Sequence, residues 1–119
     1  ISVWAQTEGA EQNLKAAVYD VPPPNDPPLA NAGPDQTVVQ NTVGVTLNGS
    51  ASYDPDGSIV GYAWKQTAGT SVTLTNPNTA ITTFTAPSVN KTTTLTFQLT
   101  LTDNKGATGS DTINVVVTK

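Results

Sequence analysis

Along residues 93–103 apolar and polar side chains alternate without a break: Leu95, Phe97, Leu99 and Leu101 fall on one side, Thr94, Thr96, Gln98, Thr100 and Thr102 on the other. A period of two is that of a half-buried β-strand, whereas a helix needs apolar recurrence at three and four residues. Ile113, Val115 and Val117 repeat the pattern within 110–118, and Asn104-Lys105-Gly106 between the runs supplies turn chemistry, so the two segments are predicted to pair as a hairpin. Further short runs near 36–40, 43–48, 59–66, 71–75 and 81–85, parted by turn residues, complete a prediction of seven strands. Within 59–66 the alternation puts Val60, Tyr62 and Trp64 on one face, with Trp64 expected as a large anchor between two sheets.

Composition supports an all-β reading. The chain has 119 residues, enough for one domain with an appendage, and 21 of them are threonine, a β-branched residue that fits the solvent face of a pleated sheet. Residues 21–28, Val-Pro-Pro-Pro-Asn-Asp-Pro-Pro, form an extended spacer that cannot join a central strand. The predicted organisation is therefore an N-terminal extension over 1–21, a Pro-rich linker over 22–28 and a β-sandwich domain over 29–119. Residues 1–28 carry four acids and one lysine, and residues 29–119 five acids and four lysines, so the extension and linker together hold most of the net charge of −4.

What the chain lacks narrows its chemistry. Without Cys, Met or His it has no thiol nucleophile, no imidazole base and none of the usual zinc or copper ligands. Its five basic residues are all lysine and are scattered, which argues against nucleic acid, where phosphate contacts need a basic patch and base reading is mostly arginine work. No apolar run is long enough to span a membrane. The first residue is Ile1, consistent with an extracellular or cell-surface protein whose signal peptide has been removed.

Several spaced motifs resemble one family. Ala30-Asn31-Ala32-Gly33-Pro34-Asp35-Gln36-Thr37-Val38 opens the domain and Leu47-Asn48-Gly49-Ser50-Ala51-Ser52-Tyr53-Asp54-Pro55-Asp56-Gly57 follows the second strand. Ile59 to Trp64 and Leu101-Thr102-Asp103-Asn104-Lys105-Gly106 come next in order. Together, over residues 29–119, these resemble a PKD domain. The resemblance implies a seven-stranded immunoglobulin-like β-sandwich, found in secreted enzymes, surface-layer proteins and adhesive proteins as a non-catalytic spacer or interaction module. The extension is not matched to the family.

Candidate sites follow from the same segments. Asp54-Pro55-Asp56-Gly57 is either a Pro/Gly turn with solvated acids or part of a hard-cation loop, since Ca²⁺ takes several oxygen ligands from flexible segments. In a sandwich of alternating direction, Asn25, Asp26, Asp54, Asp56, Asp103 and Asn104 fall at one pole, and Asp26, Asp54, Asp56 and Asp103 are the candidate Ca²⁺ ligands. The string is incomplete for an EF-hand, and two acids on one turn cannot flank a sugar as a glycosidase pair must. No other cofactor is required. Asn48-Gly49-Ser50 and Asn90-Lys91-Thr92 fit the N-glycosylation pattern, which so Thr-rich a chain also generates by chance.

The extension carries the functional ambiguity. Ile1, Val3 and Ala5 alternate with Ser2, Trp4 and Gln6, and Leu14, Ala16 and Val18 with Lys15, Ala17 and Tyr19, as in two short strands; Glu11 and Lys15 also stand at helical spacing. Such a segment cannot bury Ile1, Val3, Trp4, Leu14, Val18 and Tyr19 alone. One expectation is a homopolymer, a pilus-like cell-surface filament in which this arm adds to the neighbouring copy. The alternative is a tandem spacer or cell-adhesion module of a larger adhesin or secreted hydrolase, partnered by adjacent domains. A stand-alone carbohydrate-binding domain would need an exposed aromatic platform, for which only Trp4, Tyr53 and Tyr62 are available.

Overall fold

The computed structural model describes residues 24–119; the arm over 1–21 lies outside the described residues, and with it Ile1, Val3, Trp4, Leu14, Val18 and Tyr19. Six strands form in chain order: β1 (Gln36–Val39), β2 (Val45–Asn48), β3 (Ile59–Ala68), β4 (Ile81–Phe84), β5 (Thr93–Asp103) and β6 (Thr108–Thr118). They build a four-stranded sheet of order β1-β6-β5-β3 and a two-stranded sheet β2-β4.

The β5 alternation does what its period demands. Leu95, Phe97, Leu99 and Leu101 are fully buried, as are Ile113, Val115 and Val117 of β6; Trp64 of β3 lies beside Leu99 in the same sheet, and Val45 and Leu47 of β2 and Phe84 of β4 are buried from the other sheet. The Phe84 and Phe97 rings meet at 4.9 Å between centroids, tilted by 36°, within the range where aromatic pairs attract beyond simple burial. Trp64 is buried in this core, as expected, and its indole N–H donates to the Ala80 carbonyl at 3.3 Å. Strands β5 and β6 pair antiparallel from Thr93↔Val117 to Thr102↔Thr108. Their turn closes through Gly106 at φ 89°, a left-handed position that glycine fills without steric cost.

Two expectations are corrected. Ser71–Thr75 is no seventh strand: its only sheet-like contact is an isolated bridge from Thr75 to Thr83. The Gln66 side chain accounts for this, because it donates to the Ala68 and Thr70 carbonyls and accepts the Val72 N–H. Backbone groups bound to a side chain are withdrawn from a ladder. In β3 the pairing with β5 shifts between Ile59 and Gly61. That irregularity turns Val60 out to 66% exposure, while Ile59 packs on the core with Tyr62; one extra residue reverses the facing of what precedes it.

Strand β1 runs parallel to β6, Gln36 opposite Val115 through Val39 opposite Thr118. Both therefore run away from the end where the linker arrives, β6 from Thr108 and β1 from beside Val115, and finish together at the other end, so the chain passes from pole to pole. Replacing Leu99 with alanine is expected to lower stability by about 2–5 kcal/mol, measured as a shifted urea midpoint at unchanged slope.

Candidate functional site

Three segments meet where the chain arrives: linker residues 24–28, the turn 53–58 and the β5–β6 hairpin turn. The Asp54-Pro55-Asp56-Gly57 turn is held locally, Asp54 Oδ1 accepting the Asp56 N–H at 3.3 Å, a side-chain closure that Asp favours in turns. Asn104 ties it to the hairpin, for Asn104 Oδ1 accepts the Ser58 N–H at 3.2 Å while the Asn104 N–H donates to the Ser58 carbonyl at 2.9 Å. A Cβ at position 57 would reach within 2.5 Å of Asn104 Oδ1, so the approach depends on Gly57.

Asp103 is the hub. Its residue is 1% exposed, and Oδ1 accepts the N–H groups of Lys105 and Ala107 at 2.9 and 2.8 Å, which shapes the hairpin turn. Oδ2 accepts the Asn25 side-chain amide at 2.7 Å, so the same carboxylate fastens the linker. The Asp26 N–H donates to Asp56 Oδ2 at 2.8 Å. Leu29 and Tyr53 exchange backbone hydrogen bonds at 2.7 and 3.1 Å. Pro28 is buried, lying so close over Gly109 that any Cβ there would collide with the Pro28 carbonyl. The described part of the linker is thus bound to the domain and does not act as a free spacer.

The electrostatics of Asp103 and Asp54 diverge. The Asn25 amide and the Lys105 and Ala107 N–H groups outweigh burial and hold the Asp103 carboxyl below the ordinary value of 3.8. Asp54 moves the other way: burial raises it, and the Asp56 side chain and the Asp103 charge add to the effect against the opposing Asp56 N–H. Two buried oxygens at this pole, Asn25 Oδ1 and Asp54 Oδ2, have no hydrogen-bond partner. Among the described residues no group of three or more His, Cys, Asp or Glu side chains is arranged to hold a metal ion.

With this geometry in hand, comparison with known proteins is informative. The sequence profile described as K319L-like, PKD domain matches residues 32–117. The chain belongs to the K319L-like PKD domain family. It is 35% identical over 112 residues to the mouse dyslexia-associated protein KIAA0319-like protein, covering 93% of this chain and 10% of that one. It is 37% identical over 116 residues to human dyslexia-associated protein KIAA0319, covering 95% of this chain and again 10% of the relative. The chain thus spans about a tenth of the length of these relatives. Among solved structures, the PKD domain from KIAA 1837 protein superposes with a TM-score of 0.65 at 32% identity, covering 82% of this chain and 92% of that one. The PKD1 domain of Vibrio anguillarum Epp gives 0.54 at 26% identity, covering 80% and 98%.

The remaining candidate residues of the PKD domain lie apart from the pole cluster or on its margin. Asn48 and Asn90 are both exposed; Asn48 Oδ1 accepts the Ser50 N–H at 2.9 Å within its own sequon. Tyr53 is 58% exposed, whereas Tyr62 packs against the core, so these two tyrosines do not share an exposed platform. A shallow groove lined by Val43, Gly44, Thr73, Thr75, Thr83, Phe84 and Thr85 contains no ionisable side chain. Sequence reasoning missed Gly109, although a glycine inside a strand run is a signal of close backbone approach. It also missed the exposed Val39 and Val43, which nothing in a local pattern distinguishes from core valines.

Two outcomes test the site. Because Asp103 is held below its unfolded value, its contribution is present above the ordinary carboxylate range and lost as pH falls through the depressed value. Thermal midpoints should therefore drop on acidification, and Asp103→Asn should flatten that limb. In Gly109→Ala the linker is expected to lift away, seen as faster amide exchange at Asp26 and Leu29 while Leu99 stays protected.

Proposed function

We propose that this PKD domain is a non-catalytic extracellular module that spaces and orients neighbouring parts of a longer cell-surface protein engaged in adhesion. The observation that carries the reading is the pole-to-pole passage of the chain, with β1 parallel to β6 and the incoming linker fastened at Asp103, Asp56 and Gly109. A module fixed to its linker transmits orientation, where a free Pro-rich tether would only set a distance. The relatives, of which the chain spans a tenth, support a module within a larger whole.

The same passage would serve a pilus-like filament joined through residues 1–21, and sizing with electron microscopy separates the two. At micromolar concentration the module reading expects a monomer with or without residues 1–21. Filaments that vanish on removal of that arm would establish the polymer instead.

A calcium ion at the linker pole is a second reading, favoured by the unpartnered buried oxygens of Asn25 and Asp54 beside the Asp56 and Asp103 carboxylates. Oxygen donors from three segments suit that hard cation, and bound there it would supply charge compensation and no reaction step. Added Ca²⁺ should then raise the thermal midpoint, because a ligand of the folded state stabilises it. In Asp54→Asn the increment should disappear, and an unchanged midpoint in the parent chain would refute the cation.

A further inference from the structure

The two poles differ in charge and both expose apolar side chains. At the linker pole, residues 24–28, 53–58 and 103–107 carry Asp26, Asp54, Asp56 and Asp103 against the single Lys105, four acids to one base. Beside them Leu29 and Tyr53, joined by their backbone bridge, stand 47% and 58% exposed.

At the far pole, residues 39–44, 85–92 and 117–119 contain Lys91 and Lys119 and no Asp or Glu side chain. Both lysines are exposed and lie two residues beyond the last β5–β6 pair, Thr93↔Val117, on adjoining strands. At the same end Val39, paired with Thr118, and Val43 stand 59% and 80% exposed. The valines are rigidly presented: the Gln40 N–H donates to the Thr118 carbonyl at 2.8 Å, the Asn41 N–H to Ala86 at 3.1 Å and the Ala86 N–H to Thr42 at 2.9 Å. Gln40 Oε1 accepts the Val89 N–H at 2.9 Å and locks the neighbouring loop.

From this complementarity we infer that the basic far pole is a docking surface for the acidic linker pole of a second module of this kind, Val39 and Val43 meeting Leu29 and Tyr53 while Lys91 and Lys119 face Asp26 and Asp56. The inference rests on the module reading above and names the neighbour it implies. Opposite charge at the rim sets polarity, since like poles repel and only head-to-tail contact pairs the signs. The contact is heterologous, so a docked pair keeps one pole of each kind free and a row can extend. So small a patch is weak between separate chains and gains from tethering, since a neighbour in the same chain is held at high effective concentration.

The test is nuclear magnetic resonance of the full chain in chelator and low salt, titrated from micromolar to millimolar. Concentration-dependent shifts are expected at both poles, in Val39–Gly44, Asn90–Thr92 and Lys119 and in Asp26, Tyr53–Ser58 and Lys105, and they should fade as salt screens the charges. Lys91→Glu with Lys119→Glu should remove them, and mixing that variant with Asp26→Lys, which keeps the Asp26 N–H bond to Asp56, should restore them. All three sites are exposed, so the substitutions spare the core. Absence of shifts at both poles, shifts confined to one pole, or shifts indifferent to charge reversal would overturn the inference. A monomer in the sizing experiment would leave the module reading intact in any of those cases.

Discussion

Asp103 sits at the end of the central strand β5 with almost no solvent contact, and a carboxylate in that position must have its oxygens satisfied by the fold around it. Its partners come from two directions. The hairpin turn offers Lys105 and Ala107 N–H groups, which fixes where β6 begins, and the linker offers the Asn25 amide, which fixes where the domain begins. One buried charge thus couples the turn that sets the β5–β6 register to the direction in which the chain arrives. Asp54, drawn close to it by the neighbouring turn, has the opposite fate and is pushed toward its neutral form.

The sheet behind this pole needs little besides its alternation. Leu95 to Leu101 and Ile113 to Val117 present an unbroken apolar surface, against which Trp64, Leu47 and Phe84 pack from other strands. Rigidity of that kind is what a spacing module requires, because orientation is transmitted only if neither the body nor its attachment yields. The outer face of the same strands carries Thr96, Gln98, Thr100, Asn114 and Val116, none of them ionisable. Functional weight therefore falls on the two ends, where segments distant in sequence converge and where charge and exposed apolar side chains are concentrated.

Local pattern was sufficient for strands whose side chains obey it throughout. β5 occupies the predicted range and β6 extends it by two residues, since each position there has a cross-strand neighbour on the expected face. It failed at Val60 and at Ser71–Thr75 for distinct reasons. Val60 is displaced by an irregularity in the pairing with β5, which depends on the partner strand, and Ser71–Thr75 loses its ladder to the Gln66 side chain, a competitor several residues away. For the pole, the sequence order of strands placed Asn25, Asp26, Asp54, Asp56, Asp103 and Asn104 at one end, and the hydrogen bonds among them follow that placement.

The sequence by itself determined that the domain is all-β, which side of β5 and β6 faces the core, and which ionisable groups share an end, because period, turn residues and strand order are properties of the chain read in one dimension. The tertiary structure decided how those groups are used. Whether a carboxylate is buried or solvated, whether the Pro-rich linker lies over Gly109 or swings free, and whether a valine is core or exposed at a pole all depend on contacts between segments up to eighty residues apart. Neither hydrophobicity nor charge at a position records what will be packed against it.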